Sequence, residues 1–110
     1  MSMQQLQQDI SEWHDRNFGP WPDWMAALVV SEEAGEVSRA VLKRKTGHRG
    51  TYEEWTAELR KEIGDVIIGL AYLASIEGFD LEQAIQDRWA VIQQRDWNSD
   101  PIGHGMPEEA

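Results

Sequence analysis

Apolar positions recur along the chain at the spacing of helices. Leu6, Ile10, Trp13 and Phe18 stand three to five apart and predict a weakly amphipathic, loosely packed helix over residues 3–17, ended by Asn17, Gly19 and Pro20. Gly19-Pro20-Trp21-Pro22 forbids helix, and Asp23 is expected to N-cap a second helix running to about residue 45. Residues 46–50 form a loop. Thr51 and Glu54 make a capping box for a third helix over residues 52–77, stopped by Gly78. Its second half, residues 66–76, is apolar all round and must be covered on every side. Asp80 caps a fourth helix reaching about residue 96, with Leu81, Ala84, Ile85, Trp89 and Ile92 as its inner face. No internal repeat or useful strand-like alternation appears. The expected fold is therefore all-α: one four-helix domain over residues 1–97 and a polar tail over residues 98–110.

Carboxylates interrupt this pattern twice. In the second helix, Glu32, Glu33 and Glu36 crowd one patch, and Glu32 and Glu36 continue the inward row of Met25, Leu28 and Val29. In the third, Glu58, Glu62 and Asp65 share a face, and Asp65 directly precedes the apolar run. Burying an ionised carboxylate without a partner costs several kcal/mol, so such clusters need cations, a metal ion or water. A lone E-x-x-E or E-x-x-D on a helix is ordinarily a solvated face. Two such groups on inward rows are different. If the short loop makes the central helices antiparallel, Glu33 and Glu36 face Glu62 and Asp65, an all-oxygen set of the kind a hard cation such as Mg²⁺ prefers.

Composition narrows the partners. A formal net charge of -10 opposes nucleic-acid backbones and anionic membranes, so an anionic small molecule needs a metal bridge. The chain has no cysteine, which removes disulfide frameworks, zinc knuckles and thiol nucleophiles. Residues 1–10 carry no apolar signal region, and the longest apolar run falls well short of the roughly 18 to 20 residues that span a bilayer, so a cytoplasmic location is expected. No Ser-His-Asp arrangement, Walker A loop or dinucleotide fingerprint is visible.

Glu32-Glu33-x-x-Glu36, followed across a loop by Glu62-x-x-Asp65 in Glu-Ile-Gly-Asp-Val-Ile-Ile-Gly-Leu, resembles the MazG-type all-α nucleoside triphosphate pyrophosphohydrolases. Gly78-Phe79-Asp80-Leu81-Glu82-Gln83-Ala84 is similar to that family's G-x-D-L-x-x-A opening of its last helix, and Arg88 stands where a lysine is common. The likeness spans roughly residues 21–97, with departures at Ile92, often asparagine in the family, and at residues 93–97. It implies that Glu33, Glu36, Glu62 and Asp65 hold Mg²⁺, for which Mn²⁺ can substitute, and that Glu32 orients or deprotonates the attacking water. The implied reaction cleaves a nucleoside triphosphate between the α and β phosphates, in nucleotide-pool house-cleaning, to give the monophosphate and pyrophosphate. A phosphoribosyl-nucleotide substrate, or a catalytically silent helical interaction module, are the alternatives.

The remaining candidates carry two readings each. Arg39, Lys43 and Arg49, with Arg88 and Arg95, are candidate phosphate contacts, although cations also favour a helix C-terminus and Arg39 can simply pair with Glu36. Trp21 and Trp24 precede the acid-bearing helix and could stack on a base or fill the core. His14, His48 and His104 are expected at the surface, and none lies three after a glutamate as a di-iron bundle would require. Three short helices cannot cover the apolar run, and Gly64 and Gly69 would admit another helix, so a second copy is expected to complete the bundle. The family likeness also implies a homodimer or homotetramer, and the acids are expected near the subunit boundary.

Overall fold

The computed structural model describes residues 1–102 and, within them, has four helices and no strand. They are α1 Met3–Phe18, α2 Asp23–Thr46, α3 Tyr52–Glu77 and α4 Leu81–Ile92. Much of the tail, including His104, lies outside the described residues. No helix among them is long and apolar enough to cross a membrane.

The ends of the helices follow from local chemistry. At α3, Thr51 Oγ1 accepts from Glu54 N and the Glu54 carboxylate accepts from Thr51 N, each at 3.0 Å, so the capping box is closed in both directions. Gly78 ends α3 at φ 78°, a left-handed conformation that a Cβ would oppose, and Phe79 N then donates to Ala74 O at 2.8 Å. Two expected ends differ. The N-cap of α2 is Pro22, not Asp23; the proline's fixed φ suits the entry, while Asp23 becomes the acidic first residue of the helix. The fourth helix stops at Ile92, because Gln94 N and Arg95 N turn back to Val91 O and Ile92 O as tighter three-residue bonds.

Helices α2 and α3 form an antiparallel hairpin, as the successive pairings along it demonstrate. Arg44 bonds Thr56, Val30 meets Gly69, and Asp23 meets Glu77, so one number falls as the other rises. Gly69 permits the close approach within the chain itself: a Cβ there would stand 3.1 Å from Val30 Cγ2. The residue expected to admit another copy is thus already used by α2, whereas Gly64 has open space around it.

Helix α1 is anchored more firmly than its weak pattern predicts. Buried Gln7 donates to Ser75 Oγ at 3.1 Å and to Phe79 O at 2.8 Å, and accepts from Leu81 N at 2.9 Å. One amide therefore bonds the end of α3, the turn after it and the start of α4. Buried hydrophobic residues are few, with Ala26, Ala40, Ala71 and Tyr72 at the centre. Ile63, Ile67 and Ile68 of α3 remain about half exposed, and α4 has no buried residue. The stripe expected as the inner face of α4 is instead open to solvent at Ala84, Ile85, Trp89 and Ile92. One chain leaves much of its apolar surface uncovered, including part of the α3 run that the pattern expects to be covered on every side.

Candidate functional site

The acids converge where α2 and α3 cross at mid-length. Each of Glu33, Glu62 and Asp65 supplies a carboxylate oxygen, and these oxygens all lie within 4.8 Å of one another. Helical spacing brings this about: the i to i+3 step from Glu62 to Asp65 turns both acids to one side of α3, and the antiparallel hairpin sets Glu33 opposite. Glu36 adjoins the group through its contacts with Glu62 and Glu33. Glu32 is exposed on the outer side of the patch.

This crowding shows in the acidities. Glu36 is pushed up to about 7, first because it shares a hydrogen bond with Glu62, then because Glu62 and Glu33 add like charge. Burial, reinforced by the charges of Asp65 and Glu62, raises Glu33. Glu62 is held below the usual carboxylate range, chiefly by Lys61, whose ammonium lies 3.1 Å from Oε1. Lys61 also lies 3.6 Å from Glu58 Oε1 and 3.5 Å from Asp65 Oδ2. Sequence reading passed over this lysine, although its places three after Glu58 and four before Asp65 put it on their stripe.

The donor set fits a hard divalent cation. Oε2 of Glu33 and of Glu62 are buried without a hydrogen-bond partner, and the Glu62 side chain is only 4% exposed. Buried carboxylate oxygens are costly unless something positive meets them. Three oxygens converging with no nitrogen or sulfur among them suit Mg²⁺, Mn²⁺ or Ca²⁺ better than zinc or copper.

Beside the acids lies a cavity of about 340 Å³, bounded by Glu33 and Asp65 at one side and by Trp13, His14, Phe18 and Trp21 at the other. His14 corrects the surface expectation: it is buried, stacked on Tyr72 with ring centroids 3.7 Å apart and edge-on to Trp21 at 4.3 Å, and neither of its ring nitrogens has a hydrogen-bond partner. Tyr72 fixes the wall, because its hydroxyl donates to Asp15 Oδ1 at 2.8 Å and accepts from Trp21 N at 3.1 Å. The periodicity of α1 could not reveal this, since a polar histidine interrupts the apolar row. Its only sequence signal was the density of aromatic residues around the Gly19–Pro22 link.

Residues 25–98 match the family model of the MazG nucleotide pyrophosphohydrolase domain, which is more than half of the chain. The chain belongs to the MazG family. No curated protein and no solved structure matched it. In this MazG chain the basic candidates are dispersed. Arg39 and Arg49 share a cleft of about 280 Å³ with Glu54, Trp55 and Glu58, next to the acids through Glu58. Arg39 lies over Trp55 at 5.5 Å, the contact seen in place of a simple pair with Glu36. Arg49 adopts a left-handed φ of 58°, a strained conformation for a side-chain-bearing residue. Lys43 is half-buried near the end of α2. Trp24 is not at the acids: it lines a separate apolar cavity with Ala27, Leu70, Leu73 and Phe79. Arg88 lies along the open stripe of α4, and Arg95 follows that helix's end, so the acids and these two arginines are on different elements.

Proposed function

We propose that this MazG chain is a Mg²⁺-dependent nucleoside triphosphate pyrophosphohydrolase that releases the nucleoside monophosphate and pyrophosphate in nucleotide-pool house-cleaning. The observation that carries this reading is the convergence of Glu33, Glu62 and Asp65 at the mouth of an aromatic cavity. Aromatic rings stack on nucleobases of any kind, and the cavity volume is of the size small ligands use. A base seated among Trp13, Phe18 and Trp21 leaves its phosphates directed to the acids.

Glu33, Glu36, Glu62 and Asp65 would hold the ion, with Mn²⁺ as a substitute. When bound, such an ion offsets phosphate charge and lowers the pKa of a water. Glu32, exposed beside the cluster, orients that water and accepts its proton. The new P–O bond forms from water as the α–β anhydride P–O bond breaks, and pyrophosphate leaves. Arg39 and Arg49, one cleft away, receive the distal phosphates. No covalent enzyme intermediate is needed.

Self-association, as a homodimer or homotetramer, and a cytoplasmic location belong to the same reading. The half-exposed isoleucines of α3 and the open stripe of α4 support the first. A phosphoribosyl nucleotide would also offer a base and an anhydride. A silent interaction module would have no use for buried carboxylate oxygens left without partners. Pyrophosphate release from a panel of canonical and modified nucleotides, with phosphoribosyl-ATP included, tests the proposal. Release from nucleoside triphosphates with Mg²⁺ supports it; release from phosphoribosyl-ATP alone, or from none, refutes it.

A further inference from the structure

The acid cluster already contains a cation. Lys61 Nζ lies 3.1 Å from Glu62 Oε1, 3.5 Å from Asp65 Oδ2 and 3.6 Å from Glu58 Oε1, so one ammonium bridges three carboxylates. It meets them from the solvent side, with 61% of the Lys61 side chain exposed against 4% of Glu62. The inner oxygens, Oε2 of Glu62 and of Glu33, remain buried and without partners. A single positive charge at the rim therefore satisfies the outer half of the cluster and leaves the inner half uncompensated.

We propose that Lys61 is the resident counter-ion of the acid cluster and that a divalent cation loads by displacing its ammonium from Glu62 and Asp65. The inference rests on reading these acids as a cation site, and it does not depend on which nucleotide is hydrolysed. Two of the three carboxylates that Lys61 bridges, Glu62 and Asp65, also belong to the converging oxygen set. Two cations held against the same carboxylates repel one another, and the lysine is the one on a flexible four-carbon stem. Its exposure lets the ammonium return to water, where a surface ion pair is cheaply replaced. A divalent ion, by contrast, can reach the inner oxygens that Lys61 leaves unsatisfied. Lys61 is thus a positioning residue: it keeps the acids together before loading and sets the free-ion concentration at which loading occurs.

The test uses the full-length, nucleotide-free protein and Mn²⁺ as the probe, with free Mn²⁺ followed by electron paramagnetic resonance. Lys61→Gln should tighten Mn²⁺ binding on the order of five- to ten-fold, the effect of deleting one competing charge a few ångströms away. It should also lower the melting temperature of the metal-free protein. Arg60→Gln removes the same charge one residue away, about 100° round the helix, and should shift affinity far less. An affinity for Mn²⁺ in Lys61→Gln that is unchanged, weaker or matched by Arg60→Gln overturns the proposal. A measurement on the unmodified chain stands beside the variants: the Lys61 Cε and Nζ resonances should move toward those of an unpaired lysine as Mg²⁺ is added. Resonances that stay fixed at saturating Mg²⁺ overturn it as well. Mn²⁺ binding with the expected tightening but no pyrophosphate release would uphold the counter-ion and defeat only the hydrolase reading.

Discussion

The carboxyls of Glu36 on α2 and Glu62 on α3 face one another across the helix interface. Hydrogen bonding to Glu62 and the like charges of Glu62 and Glu33 push Glu36 up to about 7, whereas Lys61 holds Glu62 low. For an acid whose folded value is raised, the stability contribution is complete below the unfolded value and is lost as pH rises through the folded one. The metal-free protein should therefore lose melting temperature between about pH 4.5 and about pH 7. Glu36→Gln lacks this titration and should give a flatter profile over that window. Identical slopes for the two proteins would contradict a raised Glu36.

Glu36→Gln and Asp65→Asn should each remove Mg²⁺-dependent turnover while the helical circular dichroism stays intact. Losing an outer-shell partner of a metal ligand costs about 10- to 100-fold, so if these two acids hold the ion as proposed, losing either should cost at least ~100-fold. Because each change also relieves like-charge crowding, melting temperatures should hold or rise. Activity close to that of the unmodified chain in both variants, at saturating Mg²⁺, would be incompatible with a metal site here.

Tyr72→Phe tests the wall of the cavity. It deletes a buried hydroxyl that serves Asp15 and the Trp21 amide. An abandoned partner costs about 1–3 kcal/mol when buried, but the Asp15 side chain is 46% exposed and can rehydrate, so the lower end applies. A cost of about 1 kcal/mol corresponds to a drop of roughly 4–8 °C in a domain of this size. The KM for a nucleotide substrate should rise with it. An unchanged melting temperature together with an unchanged KM would show that this hydroxyl does not hold the wall.

The hairpin that carries the acids was legible because its signals are local. The Thr51–Glu54 capping box, the stop at Gly78 and the E-x-x-E and E-x-x-D spacings each act within a turn of helix, and the short loop between the helices fixes which faces meet. What stayed hidden depends on distant partners. Gln7 and His14 look like polar surface residues until α3 and α4 are set against them, and Trp24 looks like a base-stacking ring until α2 is seen to carry it to another cavity. The open stripe of α4 failed for the opposite reason. Its period is helical, but periodicity identifies an apolar face without naming what covers it.

Assembly can be tested at that stripe. Ile85 and Trp89 are 50% and 58% exposed, an expense in water that a second copy would remove. Light scattering at micromolar concentration should give a mass above the 12.6 kDa of one chain, and Trp89→Glu should shift it toward that value. A folded, active protein already at 12.6 kDa before mutation would refute self-association.

Helix α1 has two tasks that one chain cannot separate. Through His14 and Trp13 it forms a side of the cavity, and through Gln7 it clasps the corner from which α4 departs. Whatever steadies α1 from the cavity side therefore also narrows the angles open to α4, the helix with the uncovered stripe. If a nucleotide fills the cavity and a second copy docks on that stripe, as proposed, the two equilibria are coupled, each strengthening the other by the same factor, with a single glutamine amide as the joint between them.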